Sequence, residues 1–341
     1  MRVIVDTKIG DGECPYIIAE MACAHDGELE KAYKLVDMAE KAQADAVQLQ
    51  IFHTAEIVVP SHHLYPLLEN IEFPQQDWLA LAKYAKGLGL HVWVCTYDVL
   101  SVELAVKMEA DAIKLNSADL LNLDVLKAVA VTGLPFTLGT GASSIDEITE
   151  SISYLETLGA TDKTILMHGV QNFPTEIDDL NIGRVKLLKK LFSCPVGYHD
   201  HTDAELEFSK FVDLIAVGAG ANIIEKHITL DRSEQGTDYQ AALEPEEFKC
   251  FVETIRTAFG ALGKKALSPL SESDLKYRTF QKKSVVAVQG LQRGDILSRE
   301  KVQFLRNITN GLPPNQFLQL EGKKVTRNIN AYENIEWKDV E

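Results

Sequence analysis

The sequence predicts an α/β chain, a (β/α)8 or TIM barrel followed by a small, mostly-β domain, and three observations carry that expectation. Eight short apolar runs recur between residues 16 and 229, amphipathic segments separate them, and the composition changes after Leu262. Runs of strand length that are apolar on both faces suit parallel strands covered by helices. Alternation of such runs with helical segments is the pattern of a parallel α/β fold. The boundaries read as 1–263 for the barrel, 264–281 for a linker and 282–341 for the second domain.

The runs are "YIIAEM" (16–21), "AVQLQIF" (46–52), "HVWVCTY" (91–97), "AIKLNS" (112–117), "PFTLGTG" (135–141), "TILMHG" (164–169), "CPVGYHD" (194–200) and "NIIEKHIT" (222–229). Between them, "ELEKAYKLVDMAEKA" places Leu29, Tyr33 and Val36 on one helical stripe, with Lys and Glu opposite. "DWLALAKYAKGLG" (77–89), "DEITESISYLETLG" (146–159) and "EPEEFKCFVETIRTAFGALG" (244–263) read likewise. Several end at Gly, as a left-handed helix cap requires. Residues 53–76 read as a loop over the barrel mouth. A doubly wound open sheet fits less well, because no Gly-rich dinucleotide turn follows the first run.

With 34 Lys plus Arg against 50 Asp plus Glu, the net charge of −16 repels nucleic acid and anionic membrane surfaces. No apolar run reaches the roughly 18 residues of a membrane span, and no signal peptide is evident. The expected location is the cytoplasm, with no nucleic-acid or membrane partner. Five scattered cysteines, Cys14, Cys23, Cys95, Cys194 and Cys250, make no C-x-x-C pair, so most of them read as buried small apolar residues and not as a disulfide framework or zinc ribbon.

Chemistry in such barrels gathers at the carboxyl ends of the strands. The polar residues there are Glu20, Gln48, Gln50, Thr96, Lys114, Asn116, Ser117, Asp119, Thr140, His168, His199, Asp200, His201, Glu225, His227 and Asp238. An apolar core has no need of them, so the set points to a site for a polar small molecule. His201 and His227 end neighbouring strands, and two imidazoles with open positions suit a divalent metal. His199 is expected on the face opposite His201 and is set aside. Lys114 can hold phosphate as a point charge or form a Schiff base.

"IIAEMACAHDGELEKAYKLVDMAEKAQADAVQLQIF", "GYHDHT", "IIEKHITLD" and "GTDYQAALEP" resemble, in order, the motifs of the sialic acid (N-acetylneuraminate) synthases. The tail from "KKSVVAVQGLQRGDILSREKVQFLR" onward resembles their small antifreeze-like SAF domain. The resemblance implies condensation of phosphoenolpyruvate with the aldehyde of an N-acylated mannosamine-type sugar, giving a nonulosonic acid and phosphate. It implies Mn2+ or Mg2+ at His201 and His227, and proton transfer by Glu20. It also implies Lys114, Thr96 and Ser117 near the phosphate, and Gln50 and Asp238 at the substrate. Glu20, Lys114 and Asp238 form the catalytic set. Gln48, Asp119, Thr140, Phe173 and Glu225 complete the expected substrate surroundings. Arg306 matches an arginine that reaches a partner's site, which implies a domain-swapped homodimer.

Departures from the family pattern bear on specificity. Gln48 stands where the second strand has Lys, Gly139 where the fifth has Ser, and Phe173 where a Tyr is usual; "KLNSAD" and "ALEP" replace related motifs. Each removes a donor or a charge. A different donor or acceptor on the same barrel, and a non-catalytic sugar-binding homologue, are the alternative expectations.

Overall fold

The computed structural model describes residues 1–263 and 269–341. It divides into two compact units, Met1–Lys264 and Lys265–Glu341. In the first, eight parallel strands close into a barrel: β1 (Tyr16–Glu20), β2 (Ala46–Ile51), β3 (His91–Thr96), β4 (Ala112–Leu115), β5 (Phe136–Gly139), β6 (Thr164–His168), β7 (Val196–Asp200) and β8 (Ile223–His227). Each strand pairs with its sequence neighbour, and β8 closes on β1, with His227 opposite Glu20.

The alternation of side chains sorts these strands into two cores. Ile17, Ala19, Val47, Leu49, Val94, Leu138, Leu166 and Tyr198 point outward and pack with the helices. Tyr16, Ile18, Ala46, Trp93, Ala112, Ile165, Met167 and Ile223 point inward and fill the barrel floor. A hairpin of Arg2–Ile4 and Thr7–Ile9, which the sequence reading did not foresee, adds Ile4 and Ile9 to that inner cluster and plugs the amino-terminal end. The same inward positions one layer higher carry Glu20, Gln48, Cys95, Lys114 and Thr137. The apolar floor below them leaves the carboxyl ends as the open mouth.

Helices form where the amphipathic segments lie, at Leu29–Lys41, Gln75–Gly87, Ile145–Thr157 and Pro245–Leu262. Ser144 and Glu147 make a reciprocal capping box that sets the start of the third. The 53–76 segment is less irregular than expected, because Thr54–Ile57 and Tyr65–Ile71 are short helices packed on Phe52 and Cys23. No helix among the described residues is long and apolar enough to cross a membrane.

In the second unit, Ser284–Ala287 pairs antiparallel with Val302–Leu305, and isolated bridges such as Leu291 to Ile329 and Val325 to Val340 hold the remaining turns. Val285, Leu291, Leu297, Val302, Phe317, Leu320, Val325 and Ile335 form its core. Part of the expected 264–281 linker, residues 264–268, lies outside the described residues. Glu272–Gln281 is helical, started by a Ser271–Asp274 capping box that the polar composition concealed.

Candidate active site

A buried polar cluster stands directly above the apolar floor. Lys114 ion-pairs with Glu225 and lies 3.4 Å from Glu20 Oε2; the Gln48 amide donates to that same Glu20 oxygen. Glu20 Oε1 accepts from the Ala22 backbone N–H at 2.7 Å. These four side chains come from β1, β2, β4 and β8, so only barrel closure brings them together. Burial, with Glu225 adding to it, outweighs the Lys114 charge and raises the Glu20 pKa to about 8. Burial opposes the charge on Lys114, yet Glu225 and Glu20 overcome it and hold the ammonium protonated. Gln48 Oε1 and Glu225 Oε2 are buried without a hydrogen-bond partner. Such orphaned atoms are costly unless water or a ligand completes them.

Beside this cluster stand three histidines. His201 and His227 have ring centroids 5.0 Å apart. His201 Nδ1 donates to the Val170 carbonyl at 2.6 Å, which leaves Nε2 as a free lone pair. His227 Nδ1 is buried and unpartnered. Burial, and then the Lys114 charge, lowers the His201 pKa to about 4, and burial depresses His227 as well. Both imidazoles are therefore neutral, which is the metal-binding form. This pair suits one divalent ion. No group of three His, Cys, Asp or Glu is placed to hold an ion together among the described residues, so substrate oxygens would have to supply the other ligands.

His199 overturns one sequence expectation. Its ring centroid lies 4.8 Å from that of His201, on the same inner face, because residues two apart on a strand share a side. Its ring occupies the space above Gly169, where a Cβ would lie 1.4 Å from His199 Cδ2. Two other strand-end residues turn the opposite way. His168 donates through Nε2 to the loop carbonyls of Leu180 and Asn181, and Asp200 pairs with Lys226 beneath a helix.

The remaining residues divide as follows. Gln50 Nε2 lies 3.3 Å from Cys23 Sγ, and the charges of Asp238 and Glu20 both act on that thiol, so these groups share one corner of the mouth. Asp238 has a left-handed backbone (φ 59°), and burial raises its pKa to about 6. Ser117 Oγ accepts from Gly141 N at 3.0 Å and Gln171 Nε2 at 3.1 Å. A Cβ at Gly139 would fall 2.6 Å from that hydroxyl, so Ser117 fills the room a fifth-strand side chain would need. Phe173 stacks on His201 at 4.1 Å and meets His227 edge-on at 5.4 Å. Thr96 and Thr140 share parity with outward Val94 and Leu138, and their hydroxyls donate to the carbonyls of Lys114 and Met167. Half-buried Asp119 accepts from Asn122 within its own loop, at 2.9 Å, and Asn116 donates to the Tyr97 hydroxyl at 2.9 Å. Arg306 is exposed in the second unit. Gly169 and Gln171 escaped the sequence reading, since neither lies in a strand-end charge pattern.

Residues 35–266 match the model of the NeuB family. The chain belongs to the NeuB family. Residues 282–341 match the SAF domain. Among curated relatives, an uncharacterized protein of Methanocaldococcus jannaschii is 33% identical, covering 99% of this chain and 98% of its own. The N,N'-diacetyllegionaminic acid synthase of Legionella pneumophila is 30% identical over 96% of this chain and 94% of its own. A solved N-acetylneuraminic acid synthetase from Leptospira borgpetersenii superposes with a TM-score of 0.75 at 29% identity, covering 81% of this chain and 95% of that one. The two matches together account for a barrel and a SAF domain in one chain.

Proposed function

We propose that this chain is a nonulosonic acid synthase, a transferase joining phosphoenolpyruvate to the aldehyde of an N-acylated mannosamine-type sugar with release of phosphate. One observation carries the reading: a buried lysine between two carboxylates, with orphaned polar atoms, beside two neutral imidazoles at the mouth of a family barrel. The relatives named as synthases support it.

In the proposed reaction, C3 of the enol forms a bond to the aldehyde carbon and the aldehyde oxygen takes a proton. Water adds at C2, and phosphate leaves by C–O cleavage. A divalent ion such as Mn2+ or Mg2+ at His201 and His227 would, when bound, polarise the aldehyde oxygen. Glu20, protonated up to about pH 8, is suited to deliver or take a proton. Lys114 serves as a fixed cation toward the donor's charge, with Ser117 and Gln50 as neutral donors. The Glu225 carboxylate above all keeps the amine charged, which disfavours Schiff-base chemistry. Phe173 shields the imidazoles from bulk water. Arg306 is proposed to complete the site of a second copy in a domain-swapped homodimer, and the enzyme to work in the cytoplasm.

Gln48 favours a second reading, in which the donor is another enol or keto acid of lower charge. The amide that replaces a lysine donates to Glu20 and adds no positive charge. Phosphate release from full-length protein, with phosphoenolpyruvate, Mn2+ and a panel of N-acyl hexosamines, separates the two. Release that needs both sugar and metal supports the synthase; turnover only with a different donor supports the second reading.

A further inference from the structure

The segment after β6 is tied to the site through four residues, Val170, Gln171, Phe173 and Thr175. Gln171 Nε2 donates to Ser117 Oγ at 3.1 Å and approaches His199 Nε2 at 3.2 Å. The Val170 carbonyl accepts from His201 Nδ1, Phe173 stacks on the His201 ring, and Thr175 N donates to the His201 carbonyl at 2.8 Å. Both amide hydrogens of Gln171 are thus used, one on each acceptor, and His199 carries its proton on Nδ1. That Nδ1–H has no hydrogen-bond partner; the nearest carboxylate oxygen, Glu225 Oε1, is 3.8 Å away. His199 is 1% exposed and seated over Gly169, so its ring has little freedom.

We propose that His199 is a positioning residue that, through Gln171, pins the 169–175 loop against His201 and so sets the metal affinity of the His201–His227 pair. The inference rests on the proposed two-imidazole metal site. The chain of contact is direct: His199 fixes Gln171, and the neighbouring Val170 carbonyl fixes the His201 tautomer and ring plane, which leaves Nε2 without a proton. Groups that orient a metal-binding imidazole through its other nitrogen commonly change affinity by about 10–100-fold when removed.

The test is direct Mn2+ titration of the full chain, read by the paramagnetic signal of free Mn2+, with no turnover involved. His199→Ala and Gln171→Ala are each expected to weaken Mn2+ binding by about 10–100-fold. The double variant should be no weaker than the poorer single one, because both act through one hydrogen bond. His199→Gln, which keeps an acceptor, should recover part of the loss. Gln171 is half-buried in a loop, so its variant keeps the test decisive should His199→Ala fail to fold. Wild-type affinity in Gln171→Ala and in a folded His199→Ala, with binding abolished in His201→Ala, overturns this proposal alone, as does an additive double variant. Absence of Mn2+ binding by the unmodified chain overturns the metal reading and this proposal together.

Discussion

Glu225 and Lys226 are consecutive residues of β8, yet they enter two different buried ion clusters. Glu225 points into the barrel and pairs with Lys114, beside Glu20. Lys226 points outward and pairs with Asp200 and with Asp213 of the helix Ser209–Gly218. Each cluster is one lysine between two carboxylates, and both are almost fully buried. The difference lies in what completes them. Asp200 also accepts from the Thr202 N–H, the Thr202 hydroxyl and the Tyr198 hydroxyl, and Lys226 lies over the Phe251 ring. The inner cluster stands at the carboxyl ends of the strands and leaves Gln48 Oε1 and Glu225 Oε2 unpartnered, while the outer one leaves Asp213 Oδ1 so. The outer cluster fastens a helix to the barrel; the inner one stands beside the imidazole pair at the carboxyl ends of the strands.

Substitutions should separate the two roles. The largest effect on stability is expected for Lys226→Met: stranding Asp200 and Asp213 should cost about 3–5 kcal/mol, measured by urea unfolding. The largest effect on turnover is expected inside. Glu20→Gln should lower kcat by about 10²–10⁴-fold, measured by phosphate release, with the fold retained. Equal losses of stability from the inner and outer variants would erase the distinction.

The inner cluster should also respond to pH with a defined sign. Burial raises the Glu20 pKa from its ordinary 4.5 to about 8 in the folded chain, so the native state holds a proton the unfolded chain has lost. Its contribution to stability is therefore full below the lower value and is lost as pH rises through the upper one. Urea midpoints followed across that window should fall for the wild type, and this component should be absent in Glu20→Gln. A smaller effect is expected for Gly139→Ala, whose Cβ would press on the Ser117 hydroxyl and on its backbone N at 2.7 Å. Overpacking of that kind costs about 1–3 kcal/mol, and the accompanying displacement of Ser117 should raise the donor KM.

The same strand alternation explains what could be read from the sequence. All eight barrel strands were legible because runs apolar on both faces have no other common use in a chain of alternating helices. Glu20, Lys114, His201 and His227 were legible because charged and imidazole groups at such positions have no packing reason to be there. Parity, applied strictly, would also have set His199 beside His201 and turned His168 and Asp200 outward. Other features were not legible at all. The Gly169–His199 fit and the Gln171 bridge depend on contacts across strands that no local pattern encodes. The hairpin Arg2–Ile9 is too short for periodicity to reveal, and the capping box at Ser271 lay within a polar stretch.

The most direct measurement is phosphate release by the full-length chain given phosphoenolpyruvate, Mn2+ and an N-acylated mannosamine-type sugar, compared with Glu225→Gln. Release that requires all three components and is lost in the variant is the predicted result. No release with any acceptor, or release that Glu225→Gln leaves unchanged, would contradict it.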